Sequence, residues 1–191
     1  MKNLHNRLSG IRNQKPNLRS TKSTLSTRLV AFIALGSNLG KPRETVLQAM
    51  DHLQKLSDEP VMKSSLWSTS PVDCPPGSPS FVNAVVGLAP RRGETPDSLL
   101  KQLLKLERNF GRLPKRIINE PRTLDLDLIA FGSETRQTNR LTLPHPRAHL
   151  RTFVLQPLSQ LAPDLVLPGQ RKSVEELLDA LPADKKMRRT R

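Results

Sequence analysis

The sequence predicts an α+β fold with helices packed on an antiparallel sheet. Three observations carry that expectation: an unbroken apolar run, two stretches with apolar residues at helical spacing, and strand-like runs between them. Residues 29–35, Leu-Val-Ala-Phe-Ile-Ala-Leu, end at Gly36 and read as a buried strand. Gly36, Ser37, Asn38 and Gly40 make a turn, and Pro42 suits the first turn of a helix. Val46, Ala49, Met50, Leu53 and Leu56 recur at helical spacing and predict a helix over 41–56. Residues 61–69 alternate loosely around Trp67 and read as a strand. Ser70 to Pro79 is a loop dense in Pro and Gly, and Phe81 to Leu88 is the next strand.

Thr95 caps the second helix with Pro96 at its first position. Leu99, Leu100, Leu103, Leu106 and Phe110 give that helix a buried face, and Gly111 ends it. A polar, basic loop follows from Arg112 to Arg122, then a strand from Leu124 to Phe131. Phe153 to Leu161 reads as helical, and Val166–Leu167 as a short strand. Ser173-Val174-Glu175-Glu176 is a capping box that opens a last short helix. The core order strand, helix, strand, strand, helix, strand is the ferredoxin-like β-α-β-β-α-β pattern, with helices expected on one face of the sheet.

The 191 residues suit one domain with appendages. Residues 1–28 hold seven basic residues and no acid, and 185–191 hold five and no acid. Of the formal charge of +14, +12 therefore sits in two tails, while 29–184 carries 19 basic and 17 acidic residues. The chain divides into a basic extension over 1–28, expected to be disordered, a catalytic domain over 29–184 and a basic tail over 185–191. A nearly neutral body, in a chain with 3% aromatic residues, argues against a nucleic-acid-binding face, although the tails would bind nucleic acid weakly and without sequence preference. A single cysteine, Cys74, excludes an internal disulfide and a multi-cysteine zinc site, and a reducing compartment follows naturally. No stretch approaches a membrane span, and the N-terminus lacks a secretory apolar region. The expectation is a cytoplasmic monomer without a membrane or a specific nucleic acid among its partners. An organellar location is the alternative if the Arg-, Ser- and Thr-rich extension is a transit peptide, although Pro16 interrupts its weak helical periodicity.

The sharpest local feature is Pro121-Arg122-Thr123-Leu124-Asp125-Leu126-Asp127-Leu128-Ile129. On a strand, Asp125 and Asp127 project to one face and Leu124, Leu126 and Leu128 to the other. Neighbouring carboxylates repel unless something positive lies between them, and Mg²⁺, a hard cation, is the natural partner. The plainer reading of an isolated Asp-x-Asp is a polar strand face. Arg122 and the basic loop before it favour the other reading, since carboxylates for metal beside arginines for phosphate equip a site for phosphoryl transfer.

Pro-Arg-Thr-Leu-Asp-Leu-Asp resembles the hallmark of the 6-hydroxymethyl-7,8-dihydropterin pyrophosphokinases (2-amino-4-hydroxy-6-hydroxymethyldihydropteridine diphosphokinases). Further segments agree in the family's order: residues 34–40 (Ala-Leu-Gly-Ser-Asn-Leu-Gly), Phe81-Val82-Asn83-Ala84, Glu107 through Gly111-Arg112, residues 141–146 (Leu-Thr-Leu-Pro-His-Pro) and residues 153–158 (Phe-Val-Leu-Gln-Pro-Leu). The resemblance spans about 29–168 and implies transfer of a pyrophosphoryl group from ATP to the pterin hydroxymethyl oxygen, leaving AMP, in folate biosynthesis. It implies two Mg²⁺ ions held by Asp125 and Asp127, with Arg112, Arg122 and Arg151 on the triphosphate. Glu107, Arg140, Thr142 and His145 match the ATP side. Phe81 and Phe153 match two pterin-stacking positions and Asn83 the amide that reads the pterin edge, with Thr69, Ser70 and Val72 supplying further contacts. Two positions depart from the pattern. Asn119 stands where the family often has an aromatic residue, and Pro114 where it often has a basic one, leaving Lys115 and Arg116 as the nearest positive charges. Trp67 and Cys74 are assigned structural or neutral roles. An RNA-binding domain and a non-catalytic regulatory domain are the rival readings of the same fold.

Overall fold

In the chain's computed structural model, the described residues are 29–71, 75–112, 121–182 and 187–190. The apolar run forms β1, Ala31–Ser37, and every residue in it is buried. The helix α1 (Pro42–Gln54) follows, then the short strands β2 (Met62–Lys63) and β3 (Trp67–Thr69) and the long β4 (Phe81–Leu88). The helix α2 (Pro96–Asn109) leads to β5 (Asp125–Phe131) and to a small hairpin of β6 (Arg136–Gln137) and β7 (Thr142–Leu143). A 3₁₀ turn at Ala148–Leu150 introduces α3 (Thr152–Ser159), followed by α4 (Val174–Asp179) and β8 (Met187–Arg189). The main sheet runs β5-β1-β4-β3-β8, with β2 also paired to β4, and every pairing is antiparallel.

Local chemistry explains the helix limits. The Thr95 side chain accepts from the Ser98 backbone N–H, Ser98 returns the bond to Thr95, and Pro96 needs no donor at that position. Gly111 closes α2 at φ 80°, and the Gly111 and Arg112 amides donate to the Arg108 and Glu107 carbonyls, a Schellman arrangement. The Ser173–Glu176 capping box opens α4 as expected.

Side chains alternate across the sheet. Ile33, Leu35, Ala84, Val86, Leu126 and Leu128 pack with Val46, Met50, Leu99 and Leu103 of α1 and α2. Phe32, Ala34, Val85, Ile129 and Ala130 pack with Val154, Leu155 and Leu158 of α3 and Val174 of α4. Helices therefore cover both faces, which corrects the expectation of one. The physical reason was present in 29–35, because a strand apolar at every position has two faces to bury.

Three segments also differ from expectation. Residues 61–69 divide into β2 and β3, because the Ser64 hydroxyl accepts from the Val85 amide at 2.9 Å and so interrupts the backbone ladder. Val166–Leu167 is not a strand: Leu167 plugs the second core while Val166 is half exposed, and neither joins a sheet. Met187–Arg189, within the segment read as a tail, adds a strand beside β3. The extension 1–28 lies outside the described residues. Among the described residues, no helix is long and apolar enough to cross a membrane.

Candidate active site

The site starts with β5. Its register sets Asp125 beside Gly36 and Asp127 beside Ala34, so small residues of β1 leave room above both acids. Both oxygens of Asp125 are engaged, with Arg112 Nη1 2.7 Å from Oδ1 and Arg122 Nη1 2.9 Å from Oδ2. Arg112 also pairs with Glu107, whose side chain is buried and accepts from the Leu126 amide at 2.7 Å on the edge of β5. Burial pushes the Glu107 carboxyl up to about 7, against the pull of the Leu126 N–H and Arg112.

Arg122 is placed by Asn38, which is buried in the turn after β1. Asn38 Oδ1 accepts from the Arg122 amide at 2.8 Å, the Asn38 amide donates to the Arg122 carbonyl at 3.2 Å, and Asn38 Nδ2 donates to the Pro79 carbonyl at 3.3 Å. One side chain thereby ties the approach to β5 to the approach to β4.

Asp127 is the less satisfied acid. Arg151 Nη1 and His145 Nε2 stand 3.7 and 4.0 Å from its Oδ2, beyond hydrogen-bond length. Burial, and then the neighbouring Asp125 charge, raise its carboxyl above the usual range. His145 is fixed by its own amide, which donates to the Ile129 carbonyl at 2.9 Å, and its Nδ1 accepts from the Arg147 amide at 3.2 Å. Burial lowers the His145 imidazole pKa, opposed by Asp127. Arg151 precedes α3 and lies over the Phe153 ring, with Cζ 5.3 Å from the centroid.

Across β1, Gly36 pairs with Asn83 of β4. Asn83 Nδ2 donates to Thr69 Oγ1 at 2.7 Å, and its Oδ1 would lie 3.2 Å from a Cβ at position 36. Asn83 and Phe81 are two residues apart on β4, and both line the cavity.

These groups surround one cavity of about 710 Å³. Glu107, Arg112, Arg122, Asp125, Asp127, Arg140, Thr142, His145 and Arg151 line it together with Thr69, Ser70, Phe81, Asn83 and Phe153. Every sequence-predicted site residue within the described residues is thus brought to this one place. Val72, Pro114, Lys115, Arg116, Asn119 and Cys74 lie outside them. Sequence reasoning missed the cavity roles of Leu104, Leu150 and Arg147, and it read Leu100 only as part of a buried helix face. Leu104 and Leu150 are large apolar residues left 42% and 55% exposed, and they border the cavity beside Leu100 and Leu141. Extra leucines on α2 beyond one apolar stripe were the available signal. Among the described residues, no cluster of three or more His, Cys, Asp or Glu could hold a metal through protein ligands alone.

An acid pair ringed by arginines, with an amide and two aromatic rings beside it, is the layout of a transferase that handles a phosphorylated donor and a flat polar acceptor. The family model described as 7,8-dihydro-6-hydroxymethylpterin-pyrophosphokinase matches residues 32–163. A 2-amino-4-hydroxy-6-hydroxymethyldihydropteridine pyrophosphokinase from Haemophilus influenzae is 40% identical over 160 residues, covering 83% of this chain and 96% of that protein. The Pseudomonas aeruginosa protein of the same name is 40% identical over 152 residues, covering 79% and 91%. A crystal structure of an HPPK-DHPS in complex with substrates shares the fold at a TM-score of 0.62 and 12% identity, covering 80% of this chain and 43% of that one. This chain belongs to the 7,8-dihydro-6-hydroxymethylpterin-pyrophosphokinase family, and it is a pyrophosphokinase of folate biosynthesis.

Proposed function

We propose that the chain transfers the terminal pyrophosphoryl group of ATP to the hydroxymethyl oxygen of 6-hydroxymethyl-7,8-dihydropterin. A bond forms between that oxygen and the β-phosphorus, the hydroxyl proton is released to solvent, the bond from the β-phosphorus to the oxygen bridging the α-phosphorus breaks, and AMP leaves. The observation that carries the reading is the place of Gly36, which pairs with Asp125 on one side and with Asn83 on the other. The phosphate end and the heterocycle end of the cavity therefore adjoin across one residue without a side chain.

Arg112, Arg122 and Arg151 bind the triphosphate and orient it toward β4, with Arg140, Thr142 and His145 at the donor end. Phe81 and Phe153 stack on the pterin, and Asn83 reads its edge with an amide whose orientation Thr69 sets. Asp125 and Asp127 fit Mg²⁺ as hard oxygen donors, and among the described residues Asp127 has no cation within hydrogen-bond length. Mg²⁺ bound there supplies charge neutralisation and alignment of the phosphates. Burial and the Asp125 charge disfavour the ionised form of Asp127, and a bound cation offsets that cost.

The rival RNA-binding reading needs aromatic rings displayed on a basic sheet face. Here Phe81 and Phe153 instead border a cleft shared with two acids. Incubation with ATP, Mg²⁺ and the dihydropterin, with AMP followed by chromatography, tests the proposal. AMP release that requires all three components is expected, and AMP release indifferent to the pterin would overturn it.

A further inference from the structure

We infer that the C-terminal strand β8 is a positioning element for the pterin end of the cavity, acting through β3 and Thr69 on the Asn83 amide. The inference rests on the proposed pterin role of Asn83. The strand lies beyond residues 32–163, the span that carries the family match.

Asn83 presents a donor on one side and an acceptor on the other, and a half-turn about its last bond exchanges them. In this chain Nδ2 is committed to Thr69 Oγ1 at 2.7 Å, which directs Oδ1 toward Gly36 and the cavity. Both residues are buried, so the bond is shielded from competing water. The acceptor offered to a ligand therefore depends on where Thr69 sits.

Thr69 is the last residue of a three-residue strand. The interruption at 64–66 precedes that strand, and the Pro- and Gly-rich loop follows it. A strand this short at a sheet edge frays readily. β3 is not at the edge, because β8 pairs along its whole length: Trp67 with Arg189, Ser68 with Arg188 and Thr69 with Met187. The Thr190 amide extends the ladder to the Leu66 carbonyl at 2.9 Å. On its other side β3 pairs with Phe81, Val82 and Asn83 of β4, so both partners of the Thr69–Asn83 bond belong to one three-strand ribbon closed by β8. The exposed Arg188 and Arg189 then mark the new edge with charge, which suits a strand that ends a sheet.

The test uses two variants, the chain stopped after Lys186 and the full chain with Arg188→Pro, which removes a ladder donor. Steady-state KM values for pterin and ATP are compared with wild type, alongside amide hydrogen exchange over 66–69. The pterin KM is expected to rise about threefold to tenfold, the weight of one hydrogen bond, while the ATP KM stays within about twofold and exchange over 66–69 quickens. An unchanged pterin KM overturns the inference, and so does an equal rise in both constants. If both variants are unfolded by circular dichroism, β8 is a general support of the fold and the inference also fails. A wild-type chain that makes no pterin-dependent AMP would instead overturn the functional proposal on which the inference rests.

Discussion

On the α1–α2 face, apolar side chains run the full length of the central strands, from Ala31 and Leu88 at one end to Leu126 and Leu35 near the other. On the α3–α4 face the apolar contacts stop partway. Beyond Val85 and Ile129 the same strands present Asn83, Phe81, Gly36, Asp125 and Asp127. Length explains the contrast. An eight-residue helix such as α3 spans about 12 Å, whereas a seven-residue strand such as β5 spans roughly 23 Å. The portion that α3 cannot cover is the cavity, and the start of α3 supplies Arg151 and Phe153 to its border. One face specifies the fold, and the other is divided between fold and chemistry.

The strongest test of that contrast lies in the acids. Asp127→Ala should lower turnover on the order of a thousandfold, since a charge-organising ligand of this kind is worth several kcal/mol. Its melting temperature should not fall, because the carboxylate it removes is disfavoured by burial and by Asp125. Asp125→Ala should lose comparable activity and also melt lower, because Arg112 and Arg122 each lose a partner. AMP assays paired with thermal melts separate the two acids, and identical melting shifts would erase the distinction.

The closed face should answer in the opposite way. Leu103 is fully buried between α2 and the sheet, and Leu103→Ala should cost about 3 kcal/mol in urea denaturation through the lost transfer energy and the cavity left behind. Turnover per folded molecule should hold, and a matching fall in kcat would show that the faces are not independent.

Glu107 joins the two faces and gives the next effect. Its carboxyl titrates at about 7 in the fold against 4.5 for the free group, so the protonated form is the one the fold favours. Stability from this group is fully present below the lower value and is lost as pH rises through the upper one. Metal-free wild type should therefore lose roughly 2–3 kcal/mol relative to Glu107→Gln between pH 4.5 and 7, as guanidinium midpoints would record. A wild-type-to-variant difference that is flat with pH would contradict the buried placement.

Phe153→Ala should weaken pterin binding by about 1–3 kcal/mol, with a smaller loss for a non-hydrolysable ATP analogue because Arg151 rests on the ring. Calorimetric titration with each ligand measures both. Equal losses would place Phe153 in the support of the fold and outside the pterin slot.

Much of this was legible in residues. The alternation of Leu124, Asp125, Leu126, Asp127 and Leu128 announces one apolar and one acidic face, and the structure places those leucines against α1 and α2. The Thr95 cap, the Ser173 capping box and the two main helices were equally plain, because they depend on neighbours in sequence. What could not be read depends on distant partners. Met-Arg-Arg carries no strand pattern, and β8 exists only because β3 offers a backbone edge. The two arginines on Asp125 could be named, but their convergence could not. It follows from the positive-φ turn at Gly111 and from the hold of Asn38 on the backbone of Arg122.

The register of β5 on β1 has a consequence for changes of chain length. Phe32 pairs with Ala130 and Ile33 with Leu128, so Ile129 is an extra residue bulged out between them. Deleting Ile129 would restore regular pairing, leave both acids on their present face and remove one side chain from the α3–α4 core. Deleting Leu126 would make the acids adjacent and drive one of them toward the leucines of α1 and α2. The strand thus tolerates shortening at one residue and forbids it three residues earlier, which makes the bulge a shock absorber for the reading frame of the site.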